Sequence, residues 1–237
     1  MANPTRLTSG LATQARGHPR GFLPRPDPLR LHEYINDFDV YLASDWTRSL
    51  NAGTGTSALV AGDGGLLLLT NTAIATDMIQ HQLTVASYTA VIGTASVAGK
   101  DLWFGIRWST DTAALSTLVA GLHTVKSTAI TTAATDGFWF TKAVAGTVTM
   151  NDSTSSTLVT SGTLATMANA TMMEMSFHLA TGGGVNELRA FIDGVQVYTR
   201  VITTPPTGNL ALTFAQMNSS AVARTTNIDY VYAARER

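Results

Sequence analysis

The chain has 237 residues, a formal net charge of −1 at pH 7, and charged residues at only 13% of its positions. A charged fraction near a quarter is typical of globular domains, so much of this surface must be Thr, Ser, Ala and Gly. The near-zero charge excludes the basic surface of a nucleic-acid-binding protein. The absence of cysteine excludes disulfides, thiolate metal sites and thiol nucleophiles. The longest apolar run, residues 66–69, is too short to span a membrane, and no apolar signal-peptide segment follows the first residues.

The first 33 residues differ from the rest of the chain. They contain five of the seven prolines and few side chains that could build a core. Proline removes backbone donors and favours extended structure in the residue before it. The segment is therefore either a disordered tail or an arm that becomes ordered across a neighbouring subunit, and we predict the arm. Its predicted partner-binding residues are the arginines Arg6, Arg16, Arg20, Arg25 and Arg30.

From residue 34 onward, short alternating apolar segments follow one another between Gly, Asn and Asp residues, a pattern typical of β-strands. Residues 115–125 could form a helix or a strand, and we favour a strand with Gly121 as a bulge or close-packing point. We also expect a hairpin whose turn contains residues 151–153. The clearest predicted strands are residues 37–41, 66–69, 78–85, 102–108, 138–141, 146–150, 157–160, 173–179, 210–214 and 227–232.

The strongest local signal is Asp193-Gly194, flanked by two alternating runs over residues 187–202. Asp-Gly between such runs predicts a two-residue β-hairpin turn. That turn would pair Leu188 with Thr199 on an apolar face and Glu187 with Arg200 on the opposite face. A slip of one residue would turn the apolar set outward, so this register can be tested directly.

About a dozen short strands with almost no helical periodicity predict an all-β fold, an antiparallel β-sandwich of the jelly-roll kind. No fixed-period repeat occurs, which argues against a propeller or a β-helix. We therefore divide the chain into an extended N-terminal arm, residues 1–33, and a jelly-roll domain, residues 34–237.

Candidate catalytic residues are few. Glycosidases need two carboxyl groups about 5 to 10 Å apart. Asp37 and Asp39 have a suitable spacing on one predicted strand, although aspartates at a strand start are more commonly solvated or turn-forming. Glu174 has no acidic residue two positions away. Gly-x-Ser-x-Gly and phosphate-binding Gly-Lys-Ser/Thr motifs are both absent, so we predict a protein that is not an enzyme.

Metal and cofactor signals are equally weak. No histidine has another histidine or a cysteine at ligand spacing, and we interpret His81 as a hydrogen-bonded, partly buried histidine. Residues 63–65 and 182–184 could shape a calcium loop, but neither brings the several oxygen ligands that calcium requires. We predict no metal and no cofactor.

Aromatic side chains are the remaining candidates for recognition. Trp103, Trp139 and Tyr198 fall on the faces opposite the main apolar stripes. We favour their burial within the sheet or at a subunit interface. The sharper alternative is sugar stacking, for which Trp103 and Trp139 are the candidates.

Several short motifs occur in an order that resembles concanavalin A-like and laminin-G-like jelly rolls, in which an early strand neighbours the last strand and an aromatic-x-Asp-Gly hairpin comes late. With the preceding Pro/Arg segment, the order resembles virion structural proteins of tailed bacteriophages. The motifs are Tyr34-Ile35-Asn36-Asp37-Phe38-Asp39, Asp45-Trp46-Thr47, Gly62-Asp63-Gly64-Gly65-Leu66-Leu67-Leu68, Leu102-Trp103-Phe104, Gly121-Leu122, Asp136-Gly137-Phe138-Trp139-Phe140, Phe191-Ile192-Asp193-Gly194 and Ile228-Asp229-Tyr230-Val231.

This resemblance implies a capsid decoration protein on the virion surface, with the tail as the other location. Its partners would be the major capsid protein or other virion proteins, and it would form a dimer or trimer. No direct nucleic-acid partner and no membrane are expected. The alternative function is a carbohydrate-binding adhesion module that binds a host surface glycan. The calcium and sugar ligands of legume lectins cannot be assigned to residues of this sequence.

Overall fold

The computed structural model describes residues 31–62, 64–83, 100–181, 184–206 and 208–236. The five N-terminal arginines of the predicted arm lie outside these ranges. So do the predicted strand position Val85 and the calcium-loop candidates Asp63, Gly182 and Gly183.

Within these ranges the chain forms sixteen β-strands and two short 3-10 helices, Ala43–Asp45 and Ala113–Leu115. The strands are β1 Leu31–Asn36, β2 Trp46–Asn51, β3 Thr56–Val60, β4 Leu66–Thr70, β5 Met78–Leu83, β6 Leu102–Thr110, β7 Ser116–Thr124, β8 Gly137–Lys142, β9 Thr147–Thr154, β10 Thr157–Thr160, β11 Ala165–Thr166, β12 Met173–Ala180, β13 Asn186–Ile192, β14 Val195–Ile202, β15 Leu210–Asn218 and β16 Thr225–Glu236.

The strands form two antiparallel sheets that pack face to face. Sheet A has the order β14-β13-β12-β6-β16-β4-β3, and β1 pairs with the second half of β16. Sheet B has the order β10-β9-β8-β7-β15-β5-β2, and β11 pairs with β9. The predicted antiparallel jelly-roll sandwich is confirmed, including the pairing of an early strand with the last one.

Period-2 alternation produces the core, because successive side chains on a strand point to opposite faces. On β6, the predicted inward residues Leu102, Phe104, Ile106 and Trp108 are all buried against the opposite sheet. Burying each such side chain contributes about 1.5 to 3 kcal/mol. The ambiguous segment is a strand, β7, as favoured.

Gly121 on β7 is a close-packing point. A Cβ atom built on this residue would clash with the carbonyl oxygen of Phe138 and would lie 2.5 Å from the Cα of Trp139. Both atoms belong to the backbone of the paired strand β8. Glycine is therefore required by the approach of the two strands.

The first strand differs from the prediction. β1 begins at Leu31, so residues 31–33, which we had placed in the arm, pair with β16. Residues 37–41 form a turn instead of a strand. Phe38 adopts a left-handed conformation with φ of 58°, and its N–H donates to the side-chain oxygen of Asn36 at 2.7 Å. The turn lets Phe38 enter the core while both neighbouring aspartates stay exposed.

The β4 strand also differs in its burial. We expected residues 66–69 to be buried on both faces because the run is continuously apolar. Only Leu67 and Leu69 are fully buried, whereas Leu66 and Leu68 are half-buried. β4 lies next to the edge strand β3, where the outer face has little cover.

The turn between β9 and β10 lies later than predicted. Ser155 and Ser156 both have positive φ, 50° and 68°, and they connect the two strands. Such a pair of left-handed residues matches the twist of a two-residue hairpin. Residues 151–153, which we had placed in the turn, therefore belong to β9.

The β13–β14 hairpin contains a bulge. Ile192 pairs with Val195 as predicted, but the register shifts between Phe191 and Ala190. Beyond the bulge, Leu188 pairs with Arg200 and Glu187 with Val201, so the predicted Glu187–Arg200 pair is wrong. The extra residue, Val197, reverses which side chains of β14 point inward.

A second register shift occurs in β16, between Ile228 and Tyr230. Ile228 and Val231 lie in the main core, while Tyr232 packs with Trp103 in a separate cluster. In an unbroken strand Ile228 and Tyr232 would share one face, and the shift places them in different clusters.

Candidate functional site

A cleft opens along one edge of the sandwich. β14 ends sheet A and β10 ends sheet B on this side, and the two strands are not paired with each other. A cavity of about 360 Å³ lies there, and we call it the edge cleft. Five of its lining side chains carry hydroxyl groups: Thr154, Ser155, Thr157, Thr203 and Thr204.

An ion pair crosses the edge cleft from one sheet to the other. Arg200 Nη1 on β14 lies 2.6 Å from Asp152 Oδ1 on β9. The Asp152 side chain is 9% exposed and that of Arg200 is 31% exposed. Burial raises the pKa of Asp152, and the Arg200 guanidinium only partly opposes this effect. The pair is therefore held in a largely desolvated position.

Strand periodicity places Asp152 at the edge cleft, and a β-bulge places Arg200 there. Val148, Met150, Asp152 and Thr154 alternate along β9, and the first two lie in the core. The inward face of β9 thus ends in a carboxylate and a hydroxyl at the rim. On β14, the bulge at Val197 turns Arg200 inward to meet them.

The walls of the edge cleft are tied together and partly apolar. Thr154 Oγ1 donates to the carbonyl oxygen of Thr204 at 2.9 Å, which links β9 to the segment after β14. Ser155 N–H donates to Asp136 Oδ1 at 3.0 Å. Val159 and Ile202 supply apolar surface. This arrangement can bind a polar ligand through fixed donors and acceptors.

Neither charged residue was predicted to lie in a site. Asp152 was placed in a turn, and Arg200 was placed on the outer face opposite Glu187. The alternation through Val148, Met150 and Asp152 was a usable signal for Asp152. For Arg200 no local signal was available, because Asp-Gly predicts a regular hairpin and the bulge depends on packing.

Trp103, the first sugar-stacking candidate, is only 2% exposed. Its ring stacks on His178, with the centroids 4.9 Å apart and the planes 6° apart. His178 Nε2 in turn donates to Asp101 Oδ2 at 2.7 Å. Burial acts to raise the pKa of Asp101, but hydrogen bonds from His178 and Thr181 outweigh it and hold the pKa below its ordinary value.

Trp139, the second candidate, is 4% exposed and packs against Val119, Ala134 and Ile130. Tyr198 is half-buried against the main core. Both tryptophan rings are therefore covered, as our favoured interpretation expected, and neither presents an open face to a sugar.

None of the candidate acids lines the edge cleft. Asp37 and Asp39 are both exposed on the turn around Phe38. Glu174 is buried and lies opposite Arg107 in the β12–β6 ladder. Across the described ranges, no group of three or more His, Asp or Glu side chains could hold a metal ion.

His81 is fully buried. Its Nε2 lies 2.8 Å from Ser57 Oγ and its Nδ1 lies 3.4 Å from the Tyr41 hydroxyl. Burial and nearby Arg48 lower the pKa of His81 to about 3. The hydrogen bonding expected of His81 is therefore present, and its burial is complete where we expected it to be partial.

Comparison with known proteins gives structural neighbours only. No family model and no curated protein matches the sequence. An endo-1,3-β-glucanase from Streptomyces sioyaensis has a TM-score of 0.61 at 12% identity and covers 90% of this chain and 99% of its own. The Emp47p carbohydrate recognition domain has a TM-score of 0.57 at 8% identity, with coverage of 90% and 99%. A protein of unknown function from Shewanella oneidensis MR-1 has a TM-score of 0.57 at 13% identity, with coverage of 86% for both chains.

These similarities establish the fold alone: the chain is a concanavalin A-like jelly roll. The neighbours include an enzyme and a carbohydrate recognition domain, so the fold leaves the activity open. Among the residues that the structure describes, none forms a helix long and apolar enough to cross a membrane.

Proposed function

We propose that this chain is a non-enzymatic structural protein of a tailed-bacteriophage virion, which decorates and stabilises the capsid lattice. The observation that carries this proposal is the open edge strand β14. Its side chains Val195, Val197 and Val201 are 64%, 38% and 57% exposed. Aliphatic side chains at this exposure on a sheet edge favour contact with another subunit.

The edge lacks most of the usual protection. Lysine and proline normally prevent edge strands from pairing with other chains, and the β14 sequence contains neither. Its one charged residue, Arg200, points into the edge cleft instead. The bulge at Val197 is the remaining protective feature. Strand addition by a neighbouring virion protein would satisfy the free backbone groups and cover the valines.

Two further features support a binding role over catalysis. Two of the buried acids each have a carboxylate oxygen bonded within the chain, Asp77 Oδ2 to Thr72 and Asp152 Oδ1 to Arg200. The five N-terminal arginines form a cationic segment suited to acidic surface on a capsid protein. Repetition over a lattice would supply avidity, so each contact could be weak. A dimer or trimer is part of the same proposal.

The experiment is sedimentation with shells of the major capsid protein from the same virion. Deletion of residues 2–30 should abolish binding and leave the domain folded, because the strand that pairs with β16 begins at Leu31. The double variant Val195→Lys and Val201→Lys should weaken binding at least tenfold. Val222→Lys is the matched control, since Val222 is 50% exposed in a loop. Normal binding by the deletion would remove the arm from the mechanism, and failure of the intact chain to bind any virion component would overturn the proposal.

A second candidate function is a carbohydrate-binding module for a host surface glycan. The hydroxyl-lined edge cleft favours it, and a carbohydrate recognition domain shares the fold. A glycan array with the full chain tests it. A flat array would remove this candidate and leave the virion role unaffected.

A further inference from the structure

We propose that the edge cleft is a binding site for a neutral saccharide, in which Asp152 and Arg200 hold two neighbouring hydroxyl groups. The inference rests on the carbohydrate-binding candidate and is independent of capsid decoration. Neither Trp103 nor Trp139 lines this cleft.

Size sets the first limit. A volume of about 360 Å³ lies near the lower end of the roughly 300 to 1,000 Å³ range of small-molecule sites. One or two sugar rings fit this volume, whereas a long oligosaccharide would have to extend beyond the cleft. The rim, formed by Thr203, Thr204 and the β9–β10 turn, leaves the outer end open to such an extension.

The charged groups of the edge cleft determine whether a neutral or a charged saccharide fits it. The Arg200–Asp152 pair is neutral overall, yet it offers a carboxylate acceptor beside guanidinium donors. A hydroxyl group both donates and accepts, so two neighbouring hydroxyls can satisfy both partners at once. An acidic sugar would face the nearly buried Asp152 carboxylate, and a cationic ligand would face Arg200. A neutral sugar avoids both repulsions.

The remaining lining suits the same ligand. Threonine hydroxyls at Thr154, Thr157 and Thr203 add hydrogen-bonding groups around the pair, while Val159 and Ile202 can contact the apolar C–H surface of a ring. The ion pair and the Thr154–Thr204 hydrogen bond fix the walls before binding. Such preorganisation reduces the entropy lost on association.

The site would bind without cleaving. Glycosidases need a pair of carboxyl groups, and Asp152 is the only acid among the cavity residues that the structure describes. Its carboxylate is already engaged by Arg200, which keeps it oriented for binding.

The test is titration of the full chain with a panel of neutral monosaccharides and disaccharides. Glucuronate and sialic acid are included as acidic sugars for comparison. Calorimetry measures the affinity, and amide chemical shifts locate the binding site. We expect saturable binding of a neutral sugar and shifts confined to β9, β10 and β14. Asp152→Asn should weaken binding at least tenfold because a charged acceptor is lost. Thr157→Val should weaken it about threefold, and Thr160→Val, a change of the same kind on the same strand but outside the cleft, should leave it unchanged.

Circular dichroism separates misfolding from lost contacts, and Thr157→Val keeps the test valid if Asp152→Asn fails to fold. Binding of acidic sugars alone would overturn the inference. So would shifts centred on Trp103 or Trp139, unchanged affinity in Thr157→Val, or no binding at tens of millimolar sugar. Edge-strand variants that lose capsid binding should retain sugar binding, which separates the two proposals.

Discussion

Arg200 and Asp152, 48 positions apart in sequence, form a 2.6 Å ion pair that joins the two sheets at their open edge. The two residues belong to different sheets, Arg200 to sheet A and Asp152 to sheet B. The pair lies where the core ends, and it gives the edge cleft a carboxylate beside a guanidinium group. Its energetic role and its binding role can be measured separately.

Arg200→Met should destabilise the fold by about 2 kcal/mol, because it leaves a nearly buried carboxylate without its partner. Loss of Arg200 also raises the pKa of Asp152 further. A raised folded-state pKa favours the folded protein at low pH, so the loss should shrink as pH falls from 7 to 4. Urea unfolding of the parent and the variant at pH 7 and pH 4 measures this difference in the free energy of unfolding. The double variant with Asp152→Asn should recover part of the loss at pH 7, and an equal loss in both variants would contradict this account.

Gly121→Ala should destabilise by about 3 kcal/mol or more, since the new methyl group meets the β8 backbone, which cannot move without breaking the sheet. Gly162→Ala is the control, because its methyl group would meet nothing within 4 Å. That variant should stay within about 0.5 kcal/mol of the parent. Thermal unfolding compares them, and similar melting temperatures would refute the close-packing assignment.

Acidification should destabilise the fold through two buried histidines. Burial lowers the pKa of His81 to about 3 and that of His123 to about 4, both below the ordinary 6.5. As pH falls through 6.5 the unfolded chain takes up protons that the folded chain cannot. Each histidine should therefore cost about 2 kcal/mol between pH 7 and 5. Denaturant titrations across this range should show the slope, and His123→Asn should reduce it by about half.

Lys142 is fully buried, and its ammonium group donates to the Ala113 carbonyl at 2.7 Å and to the carbonyl and hydroxyl oxygens of Ser116. Burial lowers its pKa to about 8. Lys142→Met should cost about 2 kcal/mol, because three buried acceptors lose their donor. Because the folded pKa lies below the unfolded one, the parent should gain stability as pH rises from 8 to 10, and the variant should lose that gain. An unchanged pH slope in the variant would show that Lys142 titrates normally.

Local pattern was sufficient for the class of fold and for many of the strands, although β1, β2, β3 and β11 were not predicted. Alternation in residues 102–108 and 173–179 predicted β6 and β12, because successive side chains of a strand point to opposite faces and produce a two-residue pattern in the sequence. The Asp193-Gly194 turn was equally clear. The hydrogen bonding of His81 and a role for Gly121, either as a bulge or as a close-packing point, also followed from single residues and their neighbours.

The edge cleft could not be predicted in this way. It depends on the bulge at Val197, on the late turn at Ser155-Ser156 and on two strands that end different sheets. A bulge moves every later side chain to the opposite face, and packing across the sandwich decides whether it forms. The sequence therefore determined the class of fold and many of its strands, while only the tertiary structure decided which faces meet and which charges the edge brings together.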